Sequence, residues 1–278
     1  MLFRPTNVIN VLSIGNLYGF FHCAKLKYLD CLSILFIYLT VFKTSIMPPA
    51  FLRISDLTYR YTEGAQSHTV LDGVNLSINK GEIVALLGRS GCGKSTLLNL
   101  ISGIAPAQRG TVVVDNIDLT ALSERENSLF RRRHIGFIYQ FFNLIPTLTA
   151  AENIALILQL NNYSKENIKD RVHDVLSSVE LEYRAESFPD QLSGGEQQRI
   201  AIARAIIHTP DLVLADEPTG NLDAQTGPQI LGLLREQVTA NAATLVLVTH
   251  SLAVAKMADR IVTLEDGRLS ERGDDFVW

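Results

Sequence analysis

The sequence predicts an α/β fold with a mainly parallel sheet, and three short apolar segments carry that prediction. Residues 83–87, 212–215 and 245–248 are apolar at every position, which is the pattern of strands buried on both faces of a sheet. Each segment runs directly into glycine or polar residues, so a ligand site is expected along the carboxyl edge of the sheet. Strand-like and helix-like segments alternate from Phe51 onward, with turns at Gly and Pro.

Two subdomains are predicted around this sheet. Residues 51–61 and 70–78 are β-branched and alternating, which favours an antiparallel pair and hence an N-terminal β subdomain. A helix is expected at 97–102. Residues 141–207 are mostly helix-like, which predicts a helical subdomain inserted into the α/β core. Residues 47–278 are therefore expected to form one domain.

The first 46 residues differ in charge from the rest of the chain, whose 278 residues together carry a net charge of −4. They have four basic side chains against Asp30, a net charge of +3, whereas the remaining residues have 21 basic and 28 acidic side chains, a net charge of −7. A protein held on nucleic acid by phosphate contacts needs a basic surface. The acidic body therefore argues against nucleic acid as a partner.

An apolar run at residues 29–42 is shorter than the roughly 20 residues that a membrane-spanning helix needs. Three interpretations are open: a secretory signal, a membrane-anchoring helix that includes Asp30, and a non-native extension whose true translation start is Met47. From Met47 the chain continues with two prolines and a strand-like segment, and no other Met lies between Met1 and Met47. Residues 1–46 are expected to be a non-native or weakly ordered extension.

Three cysteines in a chain of this length form no disulfide framework, which favours a reducing compartment. Two interpretations of Cys92 are open. It is either a low-pKa nucleophile near Lys94 or a small side chain that fits a tight turn. No CxxC pair and no His–Asp context supports the nucleophile.

A phosphate-binding loop follows the first buried strand. Residues 88–95 match G-x-x-x-x-G-K-[ST] after an apolar strand and before a helix, which is the context that this pattern requires. Glycines let backbone N–H groups converge on phosphate oxygens, and the helix N-terminus and the lysine add positive charge. The expected nucleotide contacts are Gly88, Arg89, Ser90, Gly91, Cys92, Gly93, Lys94, Ser95 and Thr96.

An acidic pair ends the second buried strand. Beside a phosphate-binding loop, Asp216 is expected to hold Mg²⁺ together with the Ser95 hydroxyl, and Glu217 to polarise an attacking water. An isolated acidic pair after a strand is about as often a helix cap. The loop by itself leaves kinases, GTPases, helicases and transport motors open.

Six motifs, in order along residues 51–271, resemble those of the ABC-transporter ATPases. They are the phosphate-binding loop, Gln140, LSGGEQQR at 192–199, the segment 212–217, NLD at 221–223 and His250. GFIYQ at 136–140, LADEPTGNLD at 214–223 and VTH at 248–250 are most similar to the lipoprotein-releasing, macrolide-export and cell-division branch. The resemblance implies a P-loop ATPase fold and a separate membrane permease with four spanning helices.

The resemblance also implies residue roles, which begin within one subunit. Glu217 would be the general base, His250 would contact the γ-phosphate, and Gln140 would reach Mg²⁺ or the attacking water. Tyr61 would stack on adenine, whereas its structural alternative is a strand aromatic packed in the sheet.

Other implied roles act between subunits of a homodimer that sandwiches two ATP molecules. The signature of one subunit, Ser193, Gly194, Gly195 and Glu196, would face the γ-phosphate bound by the other, and Asp223 would cross the interface. Only 99 positions separate Lys94 from Ser193, which leaves no room for the coiled coil of chromosome-maintenance relatives.

Two surface segments complete the expectations. Residues 141–148 are unusually apolar for a loop and are read as the groove for a coupling helix of the permease, or as ordinary subdomain core. The triplet Arg131, Arg132 and Arg133 favours a solvated helix face or an acidic headgroup contact rather than DNA binding.

These observations predict an ATPase subunit of an ABC transporter, peripheral on the cytoplasmic face of the inner or plasma membrane. The alternative is a regulatory partner of the cell-division type, which would use the same chemistry and transport nothing.

Overall fold

Two β-sheets and seven α-helices build the part of the chain that the structure, a computed structural model, describes: residues 50–63 and 66–271. All of these residues belong to one unit that begins at Ala50. The expectations for residues 1–46 and for a start at Met47 lie outside the described residues.

The first sheet is antiparallel and has four strands in the order β2-β1-β4-β5. Its long first pair confirms the predicted N-terminal β subdomain, and Leu52 pairs with Ile78 at one end and Glu63 with Gln66 at the other. The strands are β1 (Leu52–Glu63), β2 (Gln66–Ile78), β4 (Arg109–Val114) and β5 (Ile117–Asp118).

The second sheet has six strands in the order β10-β9-β3-β8-β7-β6. All neighbouring pairs are parallel except the edge pair β10–β9, which confirms the mainly parallel sheet. The strands are β3 (Ile83–Leu87), β6 (Ile135–Ile138), β7 (Leu212–Asp216), β8 (Thr244–Thr249), β9 (Arg260–Glu265) and β10 (Arg268–Glu271).

Serine or threonine caps fix the N-termini of several helices. Ser123, Thr149 and Ser193 each form a capping box with a glutamate three residues later, which satisfies backbone donors that the helix leaves open. The helices are α1 (Lys94–Ile101), α2 (Glu124–His134), α3 (Ala150–Leu160), α4 (Lys165–Ser178), α5 (Gly194–Ile206), α6 (Thr226–Ala240) and α7 (Leu252–Ala255). None of these helices is long and apolar enough to cross a bilayer.

The parallel sheet separates two apolar cores. Along β7, Leu212 and Leu214 pack into the core shared with the antiparallel sheet, whereas Val213 and Ala215 pack into the core shared with α3 to α6. Because successive side chains of a strand point to opposite faces, a strand buried on both faces must be apolar throughout. The two cores hold the carboxyl ends of β3, β7 and β8 along one edge, where the candidate site lies.

Candidate active site

The loop between β3 and α1 is shaped by two glycines. A Cβ atom at Gly88 would lie 2.6 Å from Cys92 Sγ and 2.8 Å from the Leu264 carbonyl oxygen, and Gly93 has a φ of +104°. A side chain at Gly88 would collide with backbone, and a side chain at Gly93 would strain the turn into α1. The loop therefore closes tightly enough to direct backbone N–H groups toward one point.

The ammonium group of Lys94 lies inside this loop. Lys94 is buried, and its Nζ donates to the carbonyl oxygens of Gly88 at 2.8 Å and Arg89 at 2.9 Å. A desolvated ammonium has a strong preference for anionic oxygen acceptors. The arrangement is suited to holding the phosphates of a nucleotide against the N-terminus of α1.

Asp216, at the end of β7, lies beside the first turn of α1. Burial raises its pKa, while a hydrogen bond from the Ser95 side chain opposes that rise; the charge of Glu217 adds to it, and that of Lys94 opposes it. No three carboxylate, histidine or cysteine side chains cluster as a metal site among the described residues. A single carboxylate with a hydroxyl nevertheless suits Mg²⁺, which keeps several waters and takes phosphate oxygens as ligands.

Glu217 and His250 are brought together at the ends of β7 and β8. His250 Nδ1 lies 2.7 Å from Glu217 Oε2, and the Glu217 side chain is largely buried whereas the His250 side chain is 62% exposed. Glu217 has a φ of 47°, and its backbone N–H donates to the Val248 carbonyl oxygen at 3.0 Å. Left-handed backbone at a non-glycine residue is uncommon and often occurs at functional sites.

Gln140 reaches the same place from the loop after β6. A Cβ atom at Gly220 would lie 3.1 Å from Gln140 Nε2 and 3.4 Å from Glu217 Oε2, so both side chains face this glycine. Asn221 Nδ2 also donates to the Gln140 carbonyl oxygen at 2.6 Å. The amide of Gln140 and the carboxylate of Glu217 therefore border one small space.

Tyr61 lies beside the phosphate-binding loop and is not packed into the sheet. Its ring is 51% exposed and contacts Tyr59 edge-on at 5.1 Å between centroids. Its hydroxyl lies 3.3 Å from Thr96 Oγ1 on α1. An exposed aromatic face next to the loop is what a purine ring needs for stacking.

The signature residues form a second helix N-terminus. Glu196 Oε2 accepts from the Ser193 backbone N–H and hydroxyl, each at 2.8 Å, while Oε1 accepts from Arg184 Nε at 2.8 Å. Although partial burial opposes it, these hydrogen bonds and the Arg184 charge lower the pKa of Glu196 to about 2. A Cβ atom at Gly195 would lie 2.8 Å from Thr226 Cγ2, so α5 approaches the start of α6 closely.

Asp223 caps α6 within its own chain. Its Oδ1 accepts from the backbone N–H groups of Gln225 and Thr226, both at 2.9 Å, and Oδ2 accepts from the Thr226 hydroxyl at 2.7 Å. These hydrogen bonds lower the pKa of Asp223. The Asp223 side chain is exposed, so its contact across a dimer stays a prediction.

Burial raises the pKa of the Cys92 thiol, and the charge of Lys94 only partly opposes it. A nucleophilic thiol requires the opposite shift. The structure thus favours the small side chain in a tight turn.

Sequence reasoning missed Arg184 and Gly220 at this site. Arg184 lies in a short 3₁₀ turn (Glu182–Arg184) and touches the signature only in the folded chain, so no local pattern indicates it. Gly220 belongs to the segment LADEPTGNLD at 214–223, but only its closeness to Gln140 and Glu217 explains why this residue is a glycine.

A phosphate-binding loop, an acidic pair at the end of β7 and a mainly parallel sheet define a P-loop nucleotide-hydrolysing protein. Residues 71–220 match the family described as ABC transporter. The chain belongs to this family, and it binds and hydrolyses ATP.

Curated relatives match over nearly their whole length. An uncharacterized ABC transporter ATP-binding protein of Mycobacterium tuberculosis is 48% identical over 217 residues, which cover 78% of this chain and 88% of the relative. The lipoprotein-releasing system ATP-binding protein LolD of Pseudomonas syringae pv. tomato is 44% identical over 222 residues, 80% of this chain and 98% of the relative. Relatives named for lipoprotein release thus confirm the predicted resemblance to that branch of the family.

A solved structure confirms the fold. The ATP-binding cassette MJ0796, in a dimeric post-hydrolysis state bound to ADP and Pi, is 42% identical with a TM-score of 0.73, over 80% of this chain and 99% of that one.

Proposed function

We propose that this chain works as a homodimer on the cytoplasmic face of a membrane and powers a separate permease of the lipoprotein-release or macrolide-export type. Relatives named for lipoprotein release, at 42% to 44% identity over nearly their full length, favour this class of cargo. We also propose that the ATPase domain spans residues 47–278, with its helical subdomain at about 141–207.

The chemistry of the site follows from its geometry. Ser95, Asp216 and Gln140 would hold Mg²⁺, which neutralises charge on the phosphate oxygens when bound. Glu217 accepts a proton from the attacking water at its carboxylate. His250, which lies 2.7 Å from that carboxylate, orients it and contacts the γ-phosphate.

The exposed N-terminus of α5 is the observation that supports the proposed homodimer. Ser193 is exposed, and its backbone and hydroxyl already bond to Glu196 in its own chain. The first turn of α5 begins with two glycines, which leaves the helix N-terminus open to an incoming anion. A nucleotide bound to the phosphate-binding loop of a second subunit supplies that anion.

A groove beside the Gln140 loop supports a docking site for the permease. It has a volume of about 410 Å³ and an apolar wall that includes Ile104, Leu156 and Leu160. Phe141, directly after Gln140, is 71% exposed. Exposed apolar surface of this kind marks interaction sites, and here it adjoins a residue of the ATP site.

Capture of the partner tests this function. The full chain, tagged and expressed in its own cells, is purified in detergent, and co-purifying proteins are identified by mass spectrometry. We expect an integral membrane protein with four spanning helices and a large extracytoplasmic domain. Absence of any membrane protein contradicts the proposal, and a permease that assembles with division proteins favours the regulatory alternative.

A further inference from the structure

The groove beside the Gln140 loop is basic as well as apolar. Arg131, Arg132 and Arg204 line it, and no aspartate or glutamate does. His208 also lines it, but burial lowers the pKa of this histidine to about 4, so it is neutral at ordinary pH. The net charge of the groove therefore comes from three arginines, in a body that is acidic overall.

Two of these arginines are occupied within the chain. Arg131 Nη1 donates to the Gly103 carbonyl oxygen at 2.6 Å, at the end of α1. Arg204 donates to the carbonyl oxygens of Phe142 at 2.8 Å and Asn143 at 2.6 Å, and so holds the loop that follows Gln140. Both side chains therefore bind backbone carbonyl oxygens, but neither has a carboxylate partner among the described residues.

Arg132 is different, because its guanidinium has no hydrogen-bond or ion-pair partner within residues 50–63 and 66–271. Its Nε is buried and unpaired. A guanidinium without an acceptor in its own chain is costly to desolvate. Because Nε itself is sealed off, an acceptor from outside the chain must reach the half-buried Arg132 side chain from the groove that it lines. The groove thus contains an unpaired guanidinium group close to exposed apolar side chains.

Two exposed apolar side chains line the groove together with Arg132. Ile104 is 47% exposed and Leu160 is 48% exposed, and both line the groove. Surface of this composition suits a short helix that is apolar on one face and carries one acidic side chain there. An acidic lipid headgroup would match the charge but would not fill an apolar groove of about 410 Å³.

We propose that Arg132 receives a carboxylate from a cytoplasmic helix of the membrane permease, and that this pair fixes the helix in the groove. The inference rests on the proposed function, because it names the chemistry by which the same permease is recognised. Bidentate geometry makes arginine well suited to a carboxylate at such an interface.

The test compares two neighbouring arginines in the complex of the full chain with its captured permease. Arg132→Gln removes the charge in the groove, whereas Arg133→Gln is a matched control, since Arg133 is exposed on the same helix and does not line the groove. Binding of each variant to the detergent-solubilised permease is measured by biolayer interferometry. We expect about tenfold or greater weakening for Arg132→Gln and wild-type affinity for Arg133→Gln. Arg132→Lys keeps the charge but loses the bidentate geometry, so its affinity should lie between those of wild type and Arg132→Gln.

Exchanging the charges of the proposed pair identifies the carboxylate of the permease that binds Arg132. Arg132→Glu is combined with single Asp→Lys or Glu→Lys changes in the cytoplasmic segments of the permease, and one of these is expected to restore affinity. Equal binding by Arg132→Gln and wild type overturns the inference, as does failure of every exchange. Basal ATPase activity of the isolated variants, which should match wild type, reports that they are folded.

A second binding experiment, with lipid vesicles, distinguishes an acidic lipid headgroup from a carboxylate of the permease. If Arg132→Gln loses binding to phosphatidylglycerol vesicles but keeps its affinity for the permease, Arg132 contacts headgroups and the inference is wrong. If the wild-type chain captures no membrane protein at all, the proposed function fails first, which is a distinguishable result.

Discussion

The carboxylate of Glu217 and the imidazole of His250 form the shortest side-chain contact at the ends of β7 and β8, at 2.7 Å. A general base needs a fixed orientation toward the water that it activates. We propose that His250 supplies that orientation through its contact with the carboxylate. In this proposal the two residues act as one unit in hydrolysis.

Glu217→Gln is predicted to lower the ATP turnover rate by about 10²- to 10⁴-fold, because the amide cannot accept a proton from water. Binding of ATP should be retained, since the phosphate-binding loop is unchanged. Steady-state ATPase assays and nucleotide titration measure the two effects. Glu236→Gln, at an exposed position of α6, is the control and should match wild type. Normal turnover by Glu217→Gln would refute the role of this carboxylate.

Lys94→Ala is predicted to weaken ATP binding about 10- to 100-fold, because hydrogen bonds to a charged group each contribute about 1.5–3 kcal/mol. Fluorescent-nucleotide titration measures the dissociation constant. Lys80→Ala serves as control, since Lys80 is exposed and contacts only Asp211, at 3.5 Å, and the Phe51 ring among the described residues. An unchanged affinity in Lys94→Ala would contradict the assignment of the loop.

The lowered pKa of Glu196 predicts that the stability of the fold depends on pH. Its pKa is lowered to about 2 in the folded chain, so its hydrogen bonds to Ser193 and Arg184 stabilise the fold when the carboxylate is ionised. That contribution is complete above about pH 5 and is lost as the pH falls through the folded pKa. Urea unfolding of wild type and Glu196→Gln should show a difference that is constant above about pH 5 and shrinks toward pH 3. A difference independent of pH would count against these contacts.

At the residue scale, the sequence predicted which candidate groups would lie at the site but not which groups hold them in place. Lys94, Glu217 and His250 follow apolar strands, so their placement at one sheet edge could be predicted from the pattern alone. Arg184 and Arg204 act through contacts with residues 12 and 61 positions away along the chain, and only the fold brings these groups together.

At the scale of elements, the strands buried on both faces and the long pair β1–β2 were predictable, whereas short half-exposed strands were not. The predicted segment 83–87 coincides with β3, because burial of every side chain leaves an unbroken apolar run. β4 and β10 mix exposed with half-buried or buried positions over only a few residues, so neither shows a recognisable pattern. α1 also begins earlier than expected, at Lys94 rather than at residue 97, since the glycine-rich turn hid its first residues.

The packing of β6 against α5 predicts a difference between two glycines. A Cβ atom at Gly136 would collide with the Ala205 carbonyl oxygen, whereas one at Gly232 has nothing within 4 Å. Gly136→Ala should lower the free energy of unfolding by about 1–3 kcal/mol, because neither backbone can move freely. Gly232→Ala, in the exposed face of α6, should raise it by about 0.4–1 kcal/mol. Denaturant unfolding measures both, and equal effects would show that the close approach is absent.

At the scale of the whole molecule, the parallel sheet places two different helix N-termini at the surface. α1 follows the phosphate-binding loop of one nucleotide site, and α5 begins at the exposed Ser193. Each N-terminus attracts anions, but the hydrogen bonds of Ser193 are directed into its own helix. In the proposed homodimer, a second copy of the chain, related by twofold symmetry, would place α5 of one subunit against the nucleotide of the other.

The ATP-dependent dimer is the most direct test of this arrangement. Glu217→Gln, which should retain ATP, is examined by sedimentation equilibrium with ATP and with ADP, beside the double variant Glu217→Gln with Ser193→Arg. We predict a dimer for Glu217→Gln in ATP, a monomer in ADP, and a monomer for the double variant in both nucleotides. A monomeric Glu217→Gln in saturating ATP, or a double variant that dimerises equally well, would contradict the account.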